Sequence, residues 1–227
     1  MDVLVNFISQ SVQFFYDITL LLGFPNYGIA IILFAIVLKL IMFPLTVKQV
    51  KGMRMMQKLQ PEIQEIQKKH KDNPQKAQQM IMEVYKKNNA NPFAGCWPLL
   101  IQMPIFISLF FALRVFFDPV EAPYYVDLYN VGFLWVDNLG MPDPTFILPV
   151  LVAVAMFLQQ KITMSMSVQQ HPIQNVLLYA LPPFIGFISI QFPAALALYW
   201  MMFSIIGALE QIAIKYSADK KEVATSK

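Results

Sequence analysis

The chain has 227 residues, 57% of them hydrophobic before glycine is counted and only 14% charged, which excludes an ordinary soluble enzyme. Its charges sit in blocks between apolar runs of about twenty residues, the length an α-helix needs to cross ~30 Å of hydrocarbon, so this is the composition of a membrane protein. The single cysteine, Cys96, rules out an internal disulfide or a Cys-cluster metal site, and the two histidines, His70 and His171, are too few and too isolated for a His site. No cofactor is expected.

In chain order, residues 1–25 lack a basic start and a small-residue cleavage pattern, so they do not read as a signal peptide. Asn6, Gln10, Gln13 and Asp17 instead form one stripe of an otherwise apolar helix, which predicts an amphipathic helix lying on the outer leaflet. A sixth span is the alternative there, and it would put the N-terminus inside. A first span follows at 26–47, then a basic segment at 48–91 and a second span at 92–117, apolar from Trp97. An acidic loop at 118–144 leads to spans at 145–164, 173–192 and 194–214 and a tail at 215–227. Pro193 leaves no loop between the last two spans, so they are expected to form a tight hairpin.

Between Val47 and Pro92 there are ten Lys or Arg against four acids, a net +6, whereas the 118–144 loop has Asp118, Glu121, Asp127, Asp137 and Asp143 with no Lys or Arg. The positive segment belongs in the cytoplasm, which makes the N-terminus external and the C-terminus, with Lys215, Lys220, Lys221 and Lys227, internal. Within the basic segment Met56, Leu59, Ile63 and Ile66, then Ala77, Met80 or Ile81, and Val84 follow 3–4 spacing on either side of Lys71-Asp72-Asn73-Pro74. Asn73 should cap, and Pro74 open, the second helix of a hairpin. The fold class expected is an all-α membrane protein of five transmembrane helices with a cytoplasmic helical hairpin and an N-terminal interfacial helix.

Polar residues inside the spans carry the functional signal. Lys39 lies about 18 Å along the first span from its outer end and about 12 Å from its inner end, at ~1.5 Å per residue. A Lys at such depth costs at least ~2.5–3.5 kcal/mol on insertion scales, and snorkelling relieves only part of that. Gln102, Gln159, Gln160, Lys161, Asn175, Ser204, Glu210 and Gln211 bring further polarity to the inner half. Pro44, Pro98, Pro104, Pro149, Pro182 and Pro183 each free a backbone carbonyl that needs a partner. Glu210, the only acid within any span, is assigned to the inner end of the fifth, so Lys39 is expected to be charged, unpaired and hydrated in a cavity open to the cytoplasm. Met53, Met55 and Met82, off the seam of the hairpin, suit a flexible apolar landing site. The basic residues Lys48, Lys51, Arg54, Lys58, Lys68 and Lys69 suit anionic headgroups or ribosomal RNA.

Two stretches are specific: Asn91-Pro92-Phe93-Ala94-Gly95-Cys96-Trp97-Pro98-Leu99-Leu100-Ile101-Gln102-Met103-Pro104-Ile105-Phe106, and Phe43-Pro44-Leu45-Thr46 followed by the run to Gln60-Pro61-Glu62. With Phe157-Leu158-Gln159-Gln160-Lys161 and Ala197-Leu198-Tyr199-Trp200, they resemble the YidC family of membrane-protein insertases, the YidC/Oxa/Alb group. The resemblance implies a five-span core in the bacterial plasma membrane with a hydrophilic groove open to the cytoplasm and to lipid. It implies insertion and folding of nascent membrane proteins without nucleotide hydrolysis, alone or beside the Sec translocon and the ribosome, with a monomer sufficient. On that resemblance Lys39 stands where Arg is usual and supplies the groove charge. Gln160, Gln102, Thr46 and Ser204, the last standing where Asn is frequent, line the groove, and Trp200 and Tyr199 face the client. Lys retains the charge of Arg without its planar donor fork. The tail, with few residues beyond Lys215, is not expected to form a ribosome-binding arm, nor is a lipoprotein signal or a large outer domain expected. A small-solute transporter or channel is the rival reading of an intramembrane Lys among broken helices. An enzyme is not expected, because no Ser/His or paired-carboxylate constellation lies in the spans.

Overall fold

Asparagines set two of the helix starts. Asn26 accepts the Ile29 N–H at 3.1 Å and opens a 43-residue helix, and Asn73 accepts the Lys76 N–H at 3.1 Å with Pro74 following at the first helical position. The computed structural model describes residues 2–91, 97–118, 120, 122–128, 131–165 and 172–225, with backbone alone at 2, 97–100, 172–175, 177, 218, 219 and 221–225. Residues 92–96 with Cys96, Glu121, His171 and the side chain of Asn175 lie outside what is described.

The elements are α1 (Asp2–Leu21), α2 (Tyr27–Lys69), α3 (Pro74–Lys87), α4 (Trp97–Phe116), α5 (Ile147–Ser165), α6 (Pro172–Ser189) and α7 (Ala194–Thr225). Among the described residues, α2, α5 and α7 contain stretches long and apolar enough to cross a membrane, and α4 and α6 contain shorter apolar stretches, Ile101–Phe116 and Leu178–Ser189. No break in the helix marks the expected boundary between the first span and the basic hairpin. α2 runs unbroken through Pro44 and Pro61, so the rod that carries Lys39 also carries the first arm of the hairpin. The tail is likewise a continuation of α7 rather than a separate segment.

α2 and α7 pack together at the centre, α1 lies on α2 with α4 packed chiefly against α1, and α5 lies on α7. α6 packs on α5. The tight pairing expected of the last two spans is therefore not what forms: α6 and α7 share a turn at Pro193, but α5 is the principal neighbour of both. The turn itself is built by the 118–144 loop, whose Met141 and Leu139 carbonyls accept the Ala194 and Ala195 N–H groups at 2.8 and 2.9 Å. Those two donors open α7 and would otherwise have no partner.

One apolar core occupies the loop end of the bundle. It joins Ile8, Val12 and Tyr16 of α1, Tyr27, Ile31 and Phe34 of α2, Leu109, Leu113 and Phe116 of α4, Val131 and Leu139 of the loop, and Leu196 and Leu198 of α7. Gly28 is required there, because a Cβ would lie 2.7 Å from the Phe133 Cβ and closer still to its ring. A second core holds the hairpin, with Leu59, Ile63 and Ile66 of α2 against Ala77, Val84 and Tyr85 of α3, as the 3–4 spacing predicts. Each of its large aliphatic side chains contributes roughly 1.5–3 kcal/mol by leaving water. Burial raises the Tyr85 phenol above its ordinary pKa.

α1 buries Ile8, Val12, Tyr16 and Thr19 and leaves Val3, Phe7, Phe14 and Leu21 exposed. Its polar stripe is not simply a solvent face. Gln13 accepts the Tyr27 hydroxyl at 3.1 Å and donates to Asp17 at 2.8 Å, which ties α1 to the start of α2.

Candidate functional site

Tyr27, Ile31, Phe34 and Ala35 define the buried face of α2, and Lys39, four residues on, continues it. That register turns Lys39 inward, where its residue is only 6% exposed. On α7, Phe203, Gly207 and Glu210 share a face by the same spacing and meet it. The Lys39 Nζ sits 3.7 Å from the Phe203 ring centroid and 3.9 Å from Glu210 Oε2. Gly207 makes the approach possible, because a Cβ there would stand 2.7 Å from Lys39 Nζ and would also meet Gln159 Nε2.

This overturns one expectation. Lys39 is neither solitary nor snorkelling; it is paired with an acid on another helix, the residue that inspection of α7 alone assigns to a helix end. Thr46, about two turns further along α2, lies beside the same carboxyl group, its hydroxyl donating to the Met42 carbonyl at 3.4 Å. Around this pair the hydroxyl of Thr163 donates to Gln211 Oε1 at 2.7 Å, and Ser204 and Gln211 are both buried. Three helices thus contribute Lys39, Thr46, Gln159, Thr163, Ser204, Glu210 and Gln211 to one polar cluster inside an apolar bundle.

The cluster is only partly satisfied. At 3.9 Å the pair is Coulombic rather than hydrogen-bonded, and Glu210 Oε2 is buried with no hydrogen-bond partner among the described residues. On α4, Gln102 donates to the Tyr199 hydroxyl at 3.3 Å, but its own Oε1 is buried without a partner among the described residues, as is Ser108 Oγ on the same helix. Buried polar atoms normally find partners, so the unpartnered carboxylate oxygen beside Lys39 marks a place where an incoming polar group would be held.

The remaining expected residues distribute unevenly. Gln159 rather than Gln160 reaches the cluster; Gln160, rotated by about 100° on the helix, is half-buried. Tyr199 does not face outward, since it is 1% exposed and lies beside Phe34 and Phe203. Trp200 is half-buried against Phe106, with ring centroids 4.6 Å apart. Met53 is also core rather than landing site, packed with Val50, Ile162 and Ile214, whereas Met55 and Met82 are exposed. Lys48, Lys51, Lys58, Lys68 and Lys69 are exposed, and Arg54 donates to the Lys215 carbonyl at 2.7 Å, fastening α2 to α7.

The family profile described as 60Kd inner membrane protein matches residues 18–221. The chain belongs to that family. Among curated relatives in the 60Kd inner membrane protein family, a membrane protein insertase YidC of Geotalea daltonii is 38% identical over 92% of this chain and 37% of its own length. A membrane protein insertase YidC of Geobacter sulfurreducens is 34% identical over 95% of this chain and 38% of its own. A crystal structure of an active YidC insertase with its first transmembrane domain resolved superposes with a TM-score of 0.67 at 27% identity, covering 90% of this chain and 45% of that one. The chain therefore spans less than half the length of these relatives. The matched range contains every residue of the polar cluster, both arms of the hairpin and the loop that caps α7.

Proposed function

We propose that this chain is a membrane-protein insertase and folding chaperone of the bacterial inner membrane. It takes a polar client segment into the cluster around Lys39 and Glu210 and releases the client's apolar helix into lipid. The observation that carries the reading is a charged pair buried between α2 and α7 with an orphaned carboxylate oxygen, in a chain whose relatives bear the insertase name. A client's polar groups would supply the missing partners, shortening the path of that segment through hydrocarbon. Transfer of the client helix into the bilayer is downhill by itself, so no nucleotide hydrolysis is needed.

In this reading α2, α4, α5, α6 and α7 are the five spans, α1 lies on the outer leaflet, and the hairpin and C-terminus face the cytoplasm, where the +6 segment belongs. Thr46, Gln102, Gln160 and Ser204 border the client's path, with Gln159 added, and Trp200 is its aromatic contact. Tyr199 acts behind it by holding Gln102. The exposed Met55 and Met82 and the basic residues of the hairpin meet clients, anionic lipid headgroups, the ribosome or the Sec translocon, and one copy of the chain suffices.

The test is reconstitution of the 227-residue chain in liposomes without nucleotide. Protease protection of a single-span client, absent from protein-free liposomes, is the expected result. Failure of insertion together with ion or solute flux would replace this reading with the transporter that a buried Lys–Glu pair also suits.

A further inference from the structure

The Lys39 site already contains a carboxylate, which changes what it can select. An unpaired cation within an apolar bundle would attract any acidic side chain presented to it. Here Glu210 Oε2 stands 3.9 Å from the Lys39 Nζ, both side chains are at most 10% exposed, and the Phe203 ring also covers the ammonium, with its centroid at 3.7 Å. The flank at Gly207 is closed by Gln159. Yet the contact is looser than a hydrogen-bonded pair, and among the described residues the same Glu210 oxygen has no hydrogen-bond partner. A carboxylate placed near but not locked onto its cation is a competitor that can be displaced.

We propose that Glu210 is an internal stand-in for a client carboxylate and thereby sets the client specificity of this chain. The inference rests on the insertase reading above and deepens it. With Glu210 in place the site is close to neutral overall, so it admits polar segments of either kind and gives acidic ones little preference. An acidic client gains the ammonium only by displacing Glu210, which must then find Thr46 or water, and the net advantage over a neutral polar client is small. Removing the Glu210 charge would leave an uncompensated cation and turn a permissive site into an acid-selective one. Glu210 is on this account a specificity-determining residue that acts through Lys39.

The experiment uses two single-span clients identical except that the translocated segment carries Asp and Glu in one and Asn and Gln in the other. Insertion into proteoliposomes of the full chain is read as the ratio of protected acidic to protected neutral client. Wild type is expected to give a ratio near one, and Glu210→Gln to raise it roughly fivefold, the size of one ion pair to a client carboxylate that enters with part of its hydration. Lys39→Gln combined with Glu210→Gln should bring it back toward one. Equal change for both clients, or an unchanged ratio in Glu210→Gln, overturns the proposal. Should that variant not fold, Glu210→Asp carries the test. Its shorter reach should raise the ratio part-way, and no rise overturns the proposal equally. If wild type inserts neither client, it is the insertase reading that has failed.

Discussion

The two ends of the bundle treat buried polarity in opposite ways. At the loop end Tyr27 donates to Gln13 and accepts the Asp127 N–H at 2.9 Å, and Tyr16 donates to Asp127 at 2.8 Å while stacking on Tyr27 at 3.9 Å between centroids. Asn26 caps α2 and donates to the Gly132 carbonyl at 3.2 Å. Asp143 accepts from the Thr145 hydroxyl and N–H, the Leu148 N–H and the Trp135 indole, and so caps α5. At the Lys39 end, by contrast, a charged pair stands 3.9 Å apart and a carboxylate oxygen is orphaned. A satisfied network rigidifies, whereas an unsatisfied one stores the cost of its own desolvation until a partner arrives. The loop end closes its polar network on itself, whereas the Lys39 end leaves a carboxylate oxygen without a hydrogen-bond partner among the described residues.

Three substitutions would break or sharpen that contrast, each read from the thermal unfolding midpoint of the purified protein in detergent. Lys39→Ala should have the largest effect, about 3–5 kcal/mol, because it leaves the Glu210 charge buried without its cation. Replacing both residues by Met should recover most of that loss. A single variant that melts like wild type would mean that Glu210 escapes to water, and the contrast between the ends would collapse.

Tyr27→Phe should cost about 1–3 kcal/mol, since it strands the Asp127 N–H and Gln13 Oε1 while keeping the ring stack. The smallest effect is on pH dependence at Asp143. Burial alone would raise its pKa, but the hydrogen bonds from Thr145, Leu148 and Trp135 outweigh it and hold the carboxyl below its ordinary value. Its stabilisation is thus complete above the ordinary carboxylate range near pH ~4 and is lost as pH falls through the lower folded value. Asp143→Asn should lower the midpoint at neutral pH by about 1 kcal/mol's worth, the usual value of a helix cap, and flatten the acid limb of the profile. An unchanged acid limb would show that the cap is not held as its geometry indicates.

How much of this was legible follows from the kind of signal each feature leaves. The hairpin seam was readable because Leu59, Ile63 and Ile66 repeat at helical spacing and Asn73-Pro74 marks the turn, both local facts of the chain. Lys39 was readable because a Lys in a long apolar run is costly wherever it points. Its partner was not. Glu210 lies 171 positions further on, and only the register of α7 against α2, set by the apolar core at the loop end and by Gly207, brings the two together. Gln159 and Gln160 are indistinguishable in composition, and the rotation of α5 decides between them. Met53 and Tyr199 failed as surface residues for the same reason: an apolar or aromatic side chain in a membrane protein gives no sign of whether it meets lipid or another helix, since both are equally oily.

By itself, the sequence determined that the chain is helical and membrane-embedded, where its apolar runs fall, which segment is basic and which acidic, and that a cation is sunk in the first apolar run. These follow from length, periodicity and the cost of charge in hydrocarbon. Only the tertiary structure decided that the cation faces Glu210 and Phe203, that α2 carries site and hairpin on one rod, and that α5 rather than α6 supports α7. Those depend on how helices far apart in the chain rotate and slide to fill one core, which no local pattern encodes.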